Sequence, residues 1–176
     1  MMSMQTKEEK YELLCRQMES LIAGESDVVG VEANVSALLM SAFPERFWWV
    51  GFYMVRDGNA LRLGPFQGPV ACYSIPKGRG VCGTAWEKAE TILVPDVEQF
   101  PGHIACSAES RSEIVVPLFR YDRTEGVQPE ELLGLWTADD VVGVLDIDSR
   151  DLDAFDAVDQ KYLERISKML SKELEL

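Results

Sequence analysis

The residues best suited to chemistry lie between positions 66 and 117, a stretch that holds three of the four cysteines and the only histidine of the chain. Those cysteines are Cys72, Cys82 and Cys106. Thiolates act as nucleophiles and exchange disulfides, so three thiols close in sequence indicate a redox site. Glycine and proline occur throughout the stretch, so we expect loops to assemble the site and the flanking elements to position it.

A thiol enzyme needs an accessible thiolate, a second thiol within disulfide reach and polar groups that hold the substrate. Cys106 suits the first role, because it follows Pro101 and Gly102 in an irregular stretch between predicted strands. Cys72 and Cys82 are candidate partners, and spacing alone does not choose between them. Cys82 is expected in the first turn of a helix, where unpaired backbone N–H groups favour a thiolate. Burial of all three as small apolar side chains is the alternative.

Zinc binding is a weaker interpretation of the same residues. Cys72, Cys82, His103 and Cys106 form a Cys3His set. Structural zinc sites usually pair close ligands at both ends, and the ten-residue gap between the first two cysteines is wide for that. A neutral, hydrogen-bonded histidine in the wall of the site fits His103 equally well.

Three acidic residues extend the predicted site. Glu113 opens a predicted strand directly after the Cys106 loop, and Asp146 and Asp148 stand two residues apart on another strand, so they share one face. Acids on a sheet face that helices cover are costly unless they bind a cation or act as acids. A solvated edge strand is the alternative.

Composition excludes several classes of partner. A chain of 176 residues fits a single domain, 1–176, and its net charge of −13 disfavours nucleic acid and anionic membranes. No apolar run approaches the roughly 20 residues of a membrane span, and the first residues lack the apolar core of a signal peptide. We therefore expect a cytoplasmic protein whose cysteines are not structural disulfides.

Hydrophobic periodicity predicts the elements that position these residues. Helices are expected over 7–23 and 27–42, from Gly80, and within 151–176; Cys15 falls on the apolar stripe of the first and is expected to be inert core. Strands are expected near 48–56, 60–65, 70–75, 91–94, 112–119 and 141–148, the third of which includes Cys72, and residues 120–140 are expected to form a long hairpin excursion. The order α-α-β-β-β-α-β-β-β-α predicts an α+β domain with a mainly antiparallel sheet of about six strands, on which N- and C-terminal helices pack.

Several segments resemble the free methionine-R-sulfoxide reductases, a family of GAF-domain proteins. They include W-V-G-F-Y from Trp49, I-P-K-G-R-G-V-C-G-T-A from Ile75, G-H-I-A-C ending at Cys106, S-E-I-V-V-P from Ser112 and G-V-L-D-I-D-S from Gly143. Generic GAF domains carry neither the three cysteines nor the G-H-I-A-C and L-D-I-D segments. The excursion at 120–140 departs from the family, in which a short turn is expected.

The resemblance implies a GAF-like fold and the reduction of free L-methionine-R-sulfoxide. It implies that Cys106 is the nucleophile, that Cys72 is its resolving partner and that Cys82 takes part in recycling. It implies that Trp49 packs on the methyl group of the substrate, with Tyr53 beside it. It also implies that three acids, Glu113, Asp146 and Asp148, hold the amino group and the sulfoxide.

The resemblance also implies a thioredoxin-type reductant and no metal or organic cofactor, and it leaves a homodimer open. A GAF sensor or ligand-binding module without catalysis is the alternative function.

Overall fold

The computed structural model describes residues 5–56, 58–104, 108–121 and 136–176 of the chain. Its helices and strands are, in chain order, α1 Lys7–Ile22, α2 Val28–Ala42, β1 Trp49–Arg56, β2 Ala60–Gln67, β3 Ser74–Pro76, α3 Gly80–Lys88, β4 Ile92–Val94, β5 Ser112–Phe119, β6 Val141–Ser149 and α4 Ala157–Glu173. This order confirms the predicted one. None of the described helices combines the length and the apolar character that crossing a membrane requires.

The six strands form one antiparallel sheet in the order β3-β2-β1-β6-β5-β4. Strand β6 therefore lies in the centre of the sheet, between β1 and β5. Its side chains point alternately into two apolar layers on opposite faces of the sheet, because successive residues of a strand point to opposite faces.

The larger layer lies between the sheet and helices α1, α2 and α4. From β6 it receives Leu145 and Ile147, both fully buried, and Cys15 lies fully buried within it as expected. The smaller layer lies under α3 and includes Val144, Tyr53 and Trp86. The sequence-predicted site residues on β5 and β6 face this smaller layer.

A buried carboxylate joins the terminal helices. Asp159 on α4 is fully buried; it accepts hydrogen bonds from the Tyr11 hydroxyl at 2.7 Å and from Arg46 Nη2 at 3.0 Å, and it pairs with Lys7. Asp156 caps the N-terminus of α4 through hydrogen bonds that its side chain accepts from the Val158 and Asp159 N–H groups. The contacts tie α1, α4 and the segment after α2 together on the side of the sheet opposite α3.

The third predicted strand, 70–75, is wrong in its first part. Residues 70–73 are not in a strand, β3 begins at Ser74, and Cys72 lies in an irregular segment. Two residues before this segment interrupt the sheet pairing: Gly68 has a φ of +128°, and Pro69 has no N–H to donate to a neighbouring strand. The side chains of Val70 and Tyr73 are 87% and 83% exposed. The alternation of apolar residues there is therefore not used for packing. Of the predicted excursion at 120–140, residues 122–135 lie outside the described part of the chain.

Candidate active site

The central strands bring the predicted acidic residues into one row. Trp49 on β1 is the register partner of Asp148 on β6, which is in turn the partner of Glu113 on β5. Asp146 lies in the next row, opposite Gly51 and Val115. The shared face of Asp146 and Asp148 is confirmed, and the alternative of a solvated edge strand is wrong because β6 is central.

Helix α3 covers this row with its first turn, which carries Cys82. The Cys82 side chain is 3% exposed; its Sγ lies 3.9 Å from Glu113 Oε1, and the thiol also hydrogen-bonds Asp146. Gly83 permits the close approach, since a Cβ there would overlap the carbonyl oxygen of Pro76. The Gly78 N–H donates to the Gly83 carbonyl at 2.8 Å and fixes the turn.

The predicted thiolate at Cys82 is wrong, although its place in the first helical turn is confirmed. Burial raises the pKa of the Cys82 thiol well above its usual value, and the negative charges of Asp146 and Glu113 raise it further. A fully buried thiol between two acids keeps its proton, because the thiolate would have neither water nor a cation to stabilise it. The N-terminal partial charge of a helix, worth about 1 kcal/mol or less in most settings, is too weak to reverse this.

The three carboxyl groups hold protons more tightly than ordinary acids. Burial raises the pKa of Glu113 and of Asp148 well above the usual range, with the Asp146 charge as the next cause, and burial likewise raises the pKa of Asp146. Hydrogen bonds from Cys82 and Glu113 oppose the shift at Asp146, and one from Ser110 opposes it at Asp148. The cluster therefore carries neutral acids, which can donate protons, beside a carboxylate that can accept a cation.

No ion pair among the described residues neutralises these acids. Asp146 is 6% exposed, and its Oδ1 has no hydrogen-bond partner in the described structure. Buried polar atoms are normally paired, so an unpaired carboxylate oxygen at a cavity wall indicates a place for a ligand.

An aromatic wall faces the acids. The Trp49 ring stacks against Phe66 at 5.3 Å and Tyr53 at 5.9 Å, measured between ring centroids. It lies over Gly51, where a Cβ would overlap it. Its Nε1 donates to the Pro69 carbonyl at 3.1 Å. The wall is thus fixed from both sides of the β1–β2 hairpin.

The aromatic wall also contacts the segment of Cys72. The Tyr53 hydroxyl donates to the Cys72 carbonyl at 3.1 Å, and burial raises the pKa of that hydroxyl, so it remains a donor. Cys72 is itself disulfide-bonded, whereas Cys15 and Cys82 are free thiols. The predicted nucleophile, Cys106, lies outside the described residues.

These walls line one cavity that is partly open to solvent. It joins Trp49 and Tyr53 to Cys82, Glu113, Asp146 and Asp148, so the structure brings together six of the eight predicted site residues. Apolar contact on one side and carboxyl groups on the other suit a small ligand with an apolar end and a cationic group.

His103 and Ser110 also line the cavity. Burial lowers the pKa of His103, which favours the neutral imidazole that the wall interpretation expects. Sequence reasoning missed Ser110, which donates to Asp148, because its place beside β6 depends on how the loop before β5 folds. Ser110 precedes the predicted strand by two residues, and this proximity is the one signal the sequence offers.

The predicted Cys3His zinc set does not fit the state described here. The disulfide at Cys72 leaves no thiolate there to bind a metal. A different set is closer: Cys82 Sγ and carboxylate oxygens of Glu113 and Asp146 lie within 4.8 Å of one another.

The comparisons with known proteins agree with this fold. The GAF domain model matches residues 33–174, so the chain belongs to the GAF domain family. The relatives include GAF domain-containing protein A of Dictyostelium discoideum, 50% identical over 94% of this chain and 92% of that one.

The free methionine-R-sulfoxide reductase of Saccharomyces cerevisiae is 41% identical over 94% of this chain and 86% of its own length. Among solved structures, the free methionine-R-sulfoxide reductase of Neisseria meningitidis in complex with its substrate superposes with a TM-score of 0.83. It is 44% identical, over 98% of this chain and 93% of that one.

Proposed function

We propose that this protein reduces free L-methionine-R-sulfoxide to L-methionine. The observation that carries the proposal is the cavity that sets the aromatic wall opposite Glu113, Asp146 and Asp148. Relatives that share about two fifths of its residues, over nearly the whole chain, are named free methionine-R-sulfoxide reductases.

The acids would select the free amino acid. Its ammonium group supplies the cation that the cluster lacks, and the unpaired Asp146 Oδ1 is an acceptor for it. The Trp49 ring, held flat against Phe66 and Tyr53, offers an apolar surface to the methyl group on the sulfur. A methionine sulfoxide within a polypeptide has no ammonium group and would leave the acids uncompensated.

The chemistry would begin at Cys106. Its thiolate attacks the sulfoxide sulfur, while a neutral carboxyl such as Glu113 or Asp148 gives a proton to the oxygen. The protonated oxygen then moves as a hydroxyl from the substrate sulfur to the Cys106 sulfur, while the bond between the two sulfurs breaks and its electron pair stays on the substrate sulfur. Methionine leaves, and Cys106 is left as a sulfenic acid. The Cys72 thiol then attacks the Cys106 sulfur, a disulfide forms and water departs. The disulfide at Cys72 supports a resolving role for this cysteine.

A dithiol of the thioredoxin type would return the two electrons by exchange at the disulfide. Cys72 is partly exposed, so an external thiolate can reach that side, whereas buried Cys82 is a poor participant in exchange. We assign Cys82 instead the role of a neutral donor that holds Glu113 and Asp146 in place. The cytoplasmic location, the single domain 1–176 and a homodimer remain predictions.

The test is turnover by reduced protein with dithiothreitol, measured as methionine formed from each free sulfoxide epimer. We expect reduction of the R epimer, loss of turnover in Cys106→Ser and little change in Cys15→Ser, whose side chain lies in the opposite layer. Binding of the sulfoxide without any turnover by the wild-type protein would contradict the proposal and favour a ligand-binding GAF module.

A further inference from the structure

We infer that Cys82, Glu113 and Asp146 form a binding site for a thiophilic divalent cation of the Zn²⁺ class, which excludes the substrate's ammonium group from the cavity. One ligand atom of each residue lies within 4.8 Å of the other two, and all three side chains are buried. The consequence for catalysis rests on the proposed function, but cation binding itself does not.

The spacing of these atoms is close to what such a cation needs. Zinc binds sulfur at about 2.3 Å and carboxylate oxygen at about 2.0–2.2 Å in tetrahedral geometry, which places sulfur and oxygen ligands roughly 3.5 Å apart. Cys82 Sγ and Glu113 Oε1 are 3.9 Å apart. A shift of a few tenths of an ångström would bring this pair onto one metal ion.

The three residues stand on elements that hold them in place. Glu113 and Asp146 lie on the paired central strands β5 and β6, and Cys82 lies in the α3 turn that Gly83 fits against Pro76. Preorganisation of this kind lowers the entropy lost when ligands converge on an ion.

A separate observation indicates that a cation belongs here. Asp146 is 6% exposed and lines the cavity, yet its Oδ1 has no hydrogen-bond partner in the described part of the chain, and none of the described ion pairs involves the three acids. A buried acceptor of this kind is costly unless something cationic or protonated reaches it.

The ligand types select the class of ion. One thiolate sulfur and two carboxylate oxygens suit a four-coordinate borderline-soft ion, with water from the cavity in the fourth position. Binding of the ion would release the protons of Cys82 and of the acids to solvent, because the cation supplies the positive charge that the empty site lacks. Magnesium and calcium prefer oxygen ligands and six or more of them, so they are disfavoured. Because the same carboxylates would receive an ammonium group, metal and amino acid should compete.

Cobalt(II) is a suitable probe, because thiolate coordination to it produces near-ultraviolet charge-transfer absorption that carboxylates alone do not. The protein is used with its Cys72 disulfide intact, and thiol labelling in denaturant with peptide mapping verifies that Cys15 and Cys82 are free. We expect saturable charge-transfer absorption with Co²⁺, and its loss when Zn²⁺ is added.

Matched variants locate the site. Cys82→Ser should abolish the charge-transfer absorption, Cys15→Ser should preserve it, and Asp146→Asn should weaken Co²⁺ binding at least tenfold. Circular dichroism and melting curves check that each variant is folded. Absence of the absorption in the folded wild-type protein, or its persistence in Cys82→Ser, would overturn the inference.

Free methionine, which is redox-inert, tests the exclusion. It should raise the apparent dissociation constant for Co²⁺, and a constant that does not move at saturating methionine would overturn the exclusion. The reductase assay is separate: turnover without metal binding would defeat this inference alone, and metal binding without turnover would defeat the proposed function alone.

Discussion

The charge on the substrate's amino group should decide whether this protein turns a sulfoxide over. The perturbation is removal of that group, by comparing free methionine-R-sulfoxide with the R epimer of 4-(methylsulfinyl)butanoic acid, which has hydrogen in its place. The analogue is smaller than the substrate, so it fits the same cavity, and a low rate cannot be blamed on a clash.

The structure sets the size of the effect. Asp146 Oδ1 has no partner, and Glu113 and Asp148 lie in the adjacent row of the same face, so an ammonium group can make at least two charged hydrogen bonds. Each is worth about 1.5–3 kcal/mol. Two give about 3–6 kcal/mol, which corresponds to a loss of roughly two to four powers of ten in kcat/KM.

The assay measures initial rates with dithiothreitol as reductant over a range of each substrate. Asp146→Asn should lower kcat/KM for the free amino acid and change little for the analogue, because the lost contact exists for one substrate and not the other. Comparable kcat/KM values for the two substrates in the wild-type protein would refute the argument that the acids bind the substrate's ammonium group.

Three further outcomes follow from particular contacts. Gly51→Ala should raise KM, because the new Cβ would overlap the Trp49 ring and displace the aromatic wall; an unchanged KM in a folded variant would contradict that role. Asp159→Asn should lower the free energy of unfolding in urea by about 3–5 kcal/mol, since Lys7 and Arg46 would lose a buried partner, and a loss below about 1 kcal/mol would show that the cluster is not stabilising. Burial raises the pKa of Glu32 from its usual 4.5 to about 7, so the folded state binds this proton more tightly than the unfolded chain, and its ionisation destabilises the protein as pH rises from about 4.5 through 7. The wild-type protein should therefore lose about 2–3 kcal/mol more than Glu32→Gln between pH 5 and pH 8, and parallel stability curves would contradict this.

Local sequence patterns were enough to predict the element order. The apolar spacing of the first helix located Cys15 in the core, and the period of two along β6 placed Asp146 and Asp148 on one face. These predictions hold because each depends on residues a few positions apart. The strand predicted at 70–75 failed at Gly68 and Pro69, which take the chain out of the ladder before Cys72.

Long-range packing decided what the sequence could not. The helix N-terminus, considered alone, favours a thiolate at Cys82. The register of β5 on β6 and the packing of α3 on the sheet, however, bring two acids against the Cys82 sulfur. The same register creates the row of Trp49, Asp148 and Glu113, which lie on three different strands. The missed Ser110 belongs to this category, as does Glu32, whose burial depends on how α2 meets β2.

Strand β6 explains how one sheet carries a site that is costly to bury. Leu145 and Ile147 point into the layer under α1, α2 and α4, whereas Asp146 and Asp148 point toward α3. Fully burying a leucine or isoleucine side chain contributes about 1.5–3 kcal/mol, so the apolar face of the strand can hold it in register against the desolvation cost of its acids. The acids in turn point away from the larger layer and into the cavity beside α3. Separation of the two faces therefore lets the acids retain raised pKa values, which the proposed binding and proton transfer require, while the stability of the strand depends on residues that do not touch the site.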